Sequence, residues 1–578
     1  MSRLSVPGVV SLVVAVVVSS LAAVPAYGAK NVIVLIPDGC SYSVQTLARW
    51  YRGRPLAVDG ILVGGVKTYM SNSIVTDSAS AATAFASGHK TTDGFIGVGP
   101  RAEDVLSTLS PPAEPVRYKP LATVLEGARL RGLATGLVAT SRVTHATPAA
   151  YVAHTHSRSF ENEIMEQLVY QNVDVVLGGG RQHLLPTAVG GKRTDGEDLL
   201  AVVKAHGYQF VETRDQLARL SAGRVFGMFA ASHMEADIDR TEFAPSQPSL
   251  AEMTAKAIEL LSKNPDGFFL MVEGSQVDWA GHANDAIYMV TEFLAFDDAV
   301  KVALDFARQH GDTLVIGFPD HNTGGLALGN GRTSSNYDSM TVEALVGPLA
   351  GMKITSTGLA REIGSDTSAA NIKANLQQWW GIEATDTEVD EILALKAAGM
   401  SLNDAIPDVI NRAHTVLGWT THGHTGEDVP LWAYGPDKPA GLIDNTEIAH
   451  ATAGALGFDL AKLDAYLFVE ARKTFPGARL DLADPANPVL RIGPCSLPVN
   501  KNLLIYEPLD LEIPLEGLTV YAEKTNKVYI SGLAVALVQA LQVPSLLPFP
   551  VRPPVGRATE RGGTVSPRVG AATWVTAP

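Results

Sequence analysis

Five stretches of the chain are near-continuous apolar runs. They are KNVIVLIPDG (30–39), LATGLVAT (133–140), VDVVLGGG (173–180), GFFLMVEG (267–274) and DTLVIGFPD (312–320). A strand with one wet face alternates apolar and polar residues. A strand buried on both faces does not, so these runs predict the inner strands of a parallel sheet. Between them lie segments with apolar residues at helical spacing, such as SLAEMTAKAIELLSKN (249–264) and VTEFLAFDDAVKVALDFARQHG (290–311). Strands alternating with helices predict an α/β fold: a doubly wound, mostly parallel sheet flanked by helices in three α/β/α layers. Folds of this kind bind ligands outside the carboxyl ends of their strands.

The pattern changes in three places. Residues 331–415 have a polar start and then helical stretches such as TDTEVDEILALKAAG, which predicts an insertion before the core resumes near Trp419. Residues 490–542 contain short β-rich runs (NLLIYEPLDLEIPL, LTVYAEKTNKVYIS) and predict an accessory β unit. Residues 543–578 are rich in Pro and Gly and predict an extended tail. The main domain is expected over 29–489, and no internal repeat is present. At the other end, residues 1–28 carry Arg3, an apolar run from Val6 to Ala23, and the small residues Ala26 and Gly28 spaced as a cleavage site. This predicts a secretory signal and an exported, periplasmic or secreted protein, with an uncleaved membrane anchor as the lesser alternative and no stable span after cleavage.

Composition narrows the function. Of 578 residues, 46% are hydrophobic and 18% charged, which is ordinary for a globular chain. The net charge of −15 argues against a nucleic-acid partner, and it requires any anionic substrate to meet concentrated local positive charge. The two cysteines, Cys40 and Cys495, are too few for a disulfide framework. Cys40 follows Asp38 closely enough for a thiolate ligand to be conceivable, although a lone cysteine usually packs as a small hydrophobe.

The chemistry collects at the strand ends. The first ends at Asp38, the fourth at Glu273, and the fifth at Asp320 and His321. In VEGSQVDWAGHAND (272–285), Asp278 and His282 are four apart, so a helix puts both on one face within reach of one ion. An isolated pair at that spacing is more often a surface ion pair, and Glu273 just before it changes the balance. TTHGHTGEDVP (420–430) offers His422 and His424, of which His424, beside Thr425 and Gly426, is the better ligand candidate. SRVTHATPAAYVAHTHSR (141–158) supplies His145, Thr147 and Arg158, with His154 and His156 read as helix residues of structural role. A threonine hydroxyl suits a hard cation, and an arginine fork suits a phosphate. Imidazole with carboxylate suits zinc and oxygen-dominated ligation suits magnesium, so two zinc-type sites and one magnesium-type site account for the strand ends. Asp77 and Ser78, in VTDSASAATAFASG, read at first as a helix cap before a run of small residues.

With these pieces together the chain resembles the alkaline phosphatases, over residues 30–330 and again over 415–460. The motifs, in family order, are DSASAATA (77–84), HATPAA (145–150) followed by HSR, EGSQVDWAGH, DHNTGG and HTGEDVP. The resemblance implies hydrolysis of small phosphate monoesters through a phosphoserine on Ser78. It implies a first zinc on Asp278, His282 and His424, and a second on Asp38, Asp320 and His321. It implies magnesium on Asp38, Thr147 and Glu273, phosphate clamped by Arg158, and a homodimer. His145 and Trp279 stand where the family varies, which leaves the third ion magnesium or zinc. Both residues, with Asp77, Ser78 and Arg158, are expected at the substrate. Phe318, Pro319 and Asn322 depart from the family's common segment without changing a ligand. A phosphodiesterase or sulfatase on the same scaffold is the alternative activity, and a catalytically inactive phosphate-binding protein the alternative class. Under this reading Ser78 opens a helix whose backbone N–H groups favour a bound anion, and Asp77 positions Arg158 or nearby backbone.

Overall fold

A computed structural model describes residues 28–101 and 117–542. The sequence-predicted signal, apart from Gly28, and the tail 543–578 lie outside the described residues.

Twelve strands belong to the body that carries the site. They are β1 (Asn31–Pro37), β2 (Leu62–Lys67), β3 (Ala134–Arg142), β4 (Val175–Gly179), β5 (Gln209–Val211), β6 (Val225–Ala230), β7 (Phe268–Gly274), β8 (Thr313–Gly317), β9 (Asn322–Thr323), β10 (His424–Thr425), β11 (Val429–Tyr434) and β12 (Gly441–Asp444). Ten form one sheet in the order β12-β2-β11-β8-β1-β7-β3-β4-β6-β5. All pairings are parallel except those of β11, which runs against β2 and β8. The five apolar runs are β1, β3, β4, β7 and β8. Every residue of β1 is buried, and its side chains divide between two cores. Ile33 and Leu35 join the helix Ala286–His310 on one face. Val32, Val34 and Ile36 join the helix Ser78–Ser87 on the other. A continuous apolar run is what such a doubly covered strand requires.

The parallel register fixes the working edge. Ile36 of β1 lies opposite Glu273 of β7, and Leu35 opposite Gly317 of β8. Three central strands therefore release Asp38, Glu273 and the Asp320–His321 pair side by side.

Residues 331–415 are helical, with α-helices Val342–Ala350, Ser356–Ile363, Ala369–Asn375, Asp386–Ala397 and Leu402–His414. Their apolar faces, through residues such as Leu345, Leu359, Val389 and Ile406, are continuous with the core on the Ile33 side of the sheet. The C-terminal part forms a five-stranded antiparallel sheet between Arg479 and Pro514 and a three-stranded one between Val469 and Ile530, over a separate apolar core. These sheets thus begin ahead of residue 490, with the strands Val469–Glu470 and Arg479–Asp481. Both cysteines are buried and free, and the Cys40 thiol bonds to the Ser41 carbonyl. No helix among the described residues is long and apolar enough to cross a membrane.

Candidate active site

Asp77 caps the helix Ser78–Ser87, one of its carboxylate oxygens accepting from the Ser80 N–H at 2.9 Å, while the other accepts from Arg158 Nη1 at 3.1 Å. One residue therefore satisfies a helix end and orients the guanidinium. Ser78 is the first helical residue and is buried, with its Oγ 3.2 Å from His321 Nε2. The helix behind it is Ala-rich and buried along its whole length, so small side chains let it approach the sheet edge closely.

Around Ser78 the structure gathers three groups whose ligand-capable atoms lie within 4.8 Å of one another: Asp278, His282 and His424; Asp38, Asp320 and His321; and Asp38, His145 and Glu273. The first depends on the helix Gln276–Ala283, which puts Asp278 and His282 on one face, and on the short pairing of β9 with β10. In that pairing His424 stands opposite Thr323, and its ring stacks on His321 with centroids 3.7 Å apart. The second arises because Asp320 and His321 follow the end of β8, where successive side chains can turn the same way. Thr147, on the short helix Ala146–Ala149, is buried with the third group. His145 caps that helix and contacts Arg158 Nη2 at 3.2 Å and the edge of Trp279 at 6.0 Å between centroids.

Close approach is built into the backbone. Gly39 has a left-handed φ of 71°, and a Cβ there would stand 2.5 Å from the Asp278 Cα. A Cβ on Gly281 would meet the Thr323 carbonyl oxygen at 2.8 Å.

The electrostatics point to cations. Asp38, Glu273, Asp278 and Asp320 are all buried. Burial, then the charges of Asp320, Asp278 and Glu273, push Asp38 well above the usual carboxylate range. Burial followed by Asp320 pushes Glu273 up to about 7, against a bond from Ser275. Burial opposes ionisation of Asp278, yet the bond and charge of His282, with His321 and His424, hold it far below the normal range. Burial, then Arg158 and His233, hold His145 well below an ordinary imidazole. Among buried side-chain atoms without a hydrogen-bond partner are both oxygens of Asp38, Glu273 Oε1 and Thr147 Oγ1. Buried polar atoms are rarely left so. Orphaned oxygens from converging strand ends, mixed with imidazole nitrogens, fit divalent cations by both charge and donor type.

Other residues at the site are not evident from sequence patterning. Thr323 donates to Asp278 Oδ1 at 2.5 Å, although it lies inside the DHNTGG segment. Ser141 Oγ donates to Glu273 Oε2 at 3.3 Å, and Ser275 Oγ accepts from the Ser141 N–H at 3.0 Å. His233, which follows β6 on the same edge, packs against Trp279 at 4.3 Å between ring centroids. Its position just after a strand end is the signal that marks it. Cys40 joins no cation group among the described residues, and His154 and His156 lie in a loop rather than a helix. His154 is held by Gly97 and Glu126 rather than by the site.

Known proteins resemble this chain in sequence and in fold. Alkaline phosphatase 3 of Bacillus subtilis is 37% identical over 454 residues, covering 75% of this chain and 90% of that one. The Thermus thermophilus alkaline phosphatase structure superposes with a TM-score of 0.65 at 30% identity, covering 75% of this chain and 92% of that one. A histidine-to-aspartate mutant of the TAB5 alkaline phosphatase, solved with magnesium bound in its M3 site, superposes with a TM-score of 0.52 at 28% identity, covering 75% of this chain and all of that one (100%). The alkaline phosphatase family model matches residues 29–458, and the chain belongs to that family. It is a metal-dependent enzyme of the phosphatase class, and its scaffold is one that hydrolyses phosphate monoesters.

Proposed function

We propose that the chain hydrolyses phosphate monoesters by way of a phosphoserine on Ser78. The carrying observation is Ser78 itself, buried at a helix amino terminus with its Oγ 3.2 Å from His321 Nε2, beside Arg158 and the orphaned carboxylates. In the first step a bond forms between Ser78 Oγ and phosphorus as the bond to the ester oxygen breaks, and the hydroxyl proton ends on the departing alcohol. In the second, water adds to phosphorus, the bond to Ser78 breaks, and phosphate leaves with Ser78 protonated again. Arg158, fixed by Asp77, presents its fork to the non-bridging oxygens, and the helix amino terminus adds oriented backbone dipoles. His145, which contacts Arg158 and packs edge-on against Trp279, would line the substrate side with it.

Asp278, His282 and His424 would hold one zinc. Asp38, Asp320 and His321 would hold a second, and Asp38, Thr147 and Glu273 a magnesium that His145 could also reach. Bound there, these cations would lower the pKa of the Ser78 hydroxyl, neutralise phosphate charge and stabilise the leaving oxygen. Together with Arg158 they answer how a chain of net charge −15 receives an anion. Magnesium in the M3 site of the TAB5 mutant, where aspartate replaces a histidine, supports a third cation position. The apolar N-terminal run after Arg3 supports export.

The test is turnover of an aryl phosphate, its diester and the matching sulfate by the zinc- and magnesium-loaded protein and by Ser78→Ala. Preference for the monoester, lost in Ser78→Ala, is expected. A greater rate on the diester or sulfate would overturn the reading.

A further inference from the structure

Neither His422 nor the helical insertion 331–415 takes part in the chemistry above, yet both reach the first cation group. The loop before His424 and the helix Gln276–Ala283 are joined by a reciprocal pair of hydrogen bonds. His282 donates from Nδ1 to the His422 carbonyl at 2.5 Å, and His422 donates from Nδ1 to the His282 carbonyl at 2.8 Å. The first bond places the proton on Nδ1 and leaves Nε2 free as a ligand atom. His424 is fixed the same way by donation to the Thr76 carbonyl at 2.8 Å. A metal-binding histidine depends on such a partner for its tautomer and ring orientation. The His282 side chain is 41% exposed, so packing alone does not hold its rotamer.

The insertion closes the arrangement from outside. His422 Nε2 faces the Asp408 carboxylate at 3.8 Å, on the helix Leu402–His414. From the same helix, buried Asn411 donates to the Asn284 carbonyl at 2.6 Å. Asn284 is the left-handed residue, φ 55°, at which the helix carrying Asp278 and His282 ends. The Ser356 N–H, at the start of another insertion helix, donates to Asp285 Oδ2 at 2.7 Å. The insertion therefore grips both the end of the ligand-bearing helix and the loop that approaches it.

We propose that His422 is a positioning residue for the Asp278–His282–His424 group, and that the insertion acts through Asp408 and Asn411 as the buttress that keeps the group aimed at a cation. The proposal rests on the reading that these three residues hold a cation. It assigns His422 no contact with substrate.

The test titrates zinc into the metal-free full-length protein by chelator competition, records the visible spectrum of the cobalt-loaded protein, and measures thermal unfolding of the metal-free form. His422→Ala keeps the carbonyl that accepts from His282 but removes the bond that holds this loop against the helix, and it is expected to weaken zinc at one site by about 10-fold, the lower end of what loss of a ligand's own partner costs. It should also shift the cobalt spectrum and leave the metal-free unfolding midpoint near the wild-type value. His422→Asn, whose Nδ2–H can stand where the imidazole Nδ1–H stood, is expected to recover part of the affinity. Asp408→Ala should act in the same direction more weakly. Wild-type zinc affinity in His422→Ala overturns the proposal, as does a lowered metal-free midpoint with affinity unchanged, which would mark a folding role only. If His422→Ala does not fold, Asp408→Ala decides, and unchanged affinity there counts against the buttress. A wild-type protein that binds zinc but does not hydrolyse monoesters refutes the proposed function and leaves this assignment standing. One that binds no zinc refutes the assignment.

Discussion

Two of the buried polar clusters among the described residues differ in what they lack. Around His154 the imidazole and the carboxylate facing it are both partnered at every nitrogen and oxygen. His154 donates from Nδ1 to the Gly97 carbonyl at 2.9 Å and from Nε2 to Glu126 at 3.2 Å. Glu126 also accepts from the Thr123 N–H at 3.0 Å and from Gln171 at 2.7 Å. At the sheet edge, by contrast, Asp38, Glu273 and Thr147 keep buried oxygens with no hydrogen-bond partner. Both clusters contain imidazole and carboxylate, so residue type does not tell them apart. Satisfaction does: a closed set of bonds stabilises a fold, and an open set awaits a ligand.

The sharpest break of this comparison is Ser78→Ala. It should leave the His154 cluster and the fold intact while lowering turnover of an aryl phosphate by about 10⁴-fold or more, as read by steady-state kinetics beside circular dichroism. Metal removal comes next. Chelation should bring hydrolysis to background, with recovery on adding zinc and magnesium. Calorimetry should show a loss of about 4 kcal/mol for each site that had been held at roughly 1,000 times its dissociation constant.

Glu126→Gln makes the opposite cut. It should cost about 3 kcal/mol or more of stability by leaving a buried charge unpaired, with kcat of the folded enzyme unchanged. Its pH dependence has a definite sign. Burial opposes the charge on His154, but Glu126 raises its pKa above the ordinary 6.5, so this contribution is complete below 6.5 and is lost as pH rises through the raised value. Burial likewise opposes the charge on Glu126, but His154 holds its pKa below the ordinary 4.5, so this contribution is complete above 4.5 and is lost as pH falls through the lowered value. The gap in denaturant stability between wild type and Glu126→Gln should therefore be widest between pH 4.5 and 6.5. A gap independent of pH would break the comparison. The smallest effect is that of Arg158→Lys, which keeps the charge and loses the fork. About 2 kcal/mol, or about 30-fold in kcat/KM, is expected, with no change in unfolding.

Much of this is legible along the chain because the signals are local. A strand covered on both faces must be apolar throughout, so KNVIVLIPDG announces β1 and the acid after it. A helix brings residues four apart together, so the spacing of Asp278 and His282 is enough to pair them. Asp77 and Ser78 are legible as a cap for the same reason, since an N-cap bond spans only three residues. The small antiparallel sheets start earlier than the β-rich runs suggest, because strands as short as Val469–Glu470 and Arg479–Asp481 leave no clear period.

What the sequence determined by itself, then, is the succession of buried strands and helices and the kinds of donor at their ends, because burial and helical spacing act between near neighbours. Only the tertiary structure decided which donors share a centre. The register of β1 with β7 and β8 brought Asp38, Glu273 and Asp320 together across more than 200 positions of chain. The pairing of β9 with β10 brought His424 onto His321, and a hydrogen bond from the helix Leu402–His414 reached the end of the helix that carries Asp278. His154 and His424 look alike in sequence, each a histidine beside threonine. The fold closed one within a satisfied pair and left the other facing an open set of oxygens.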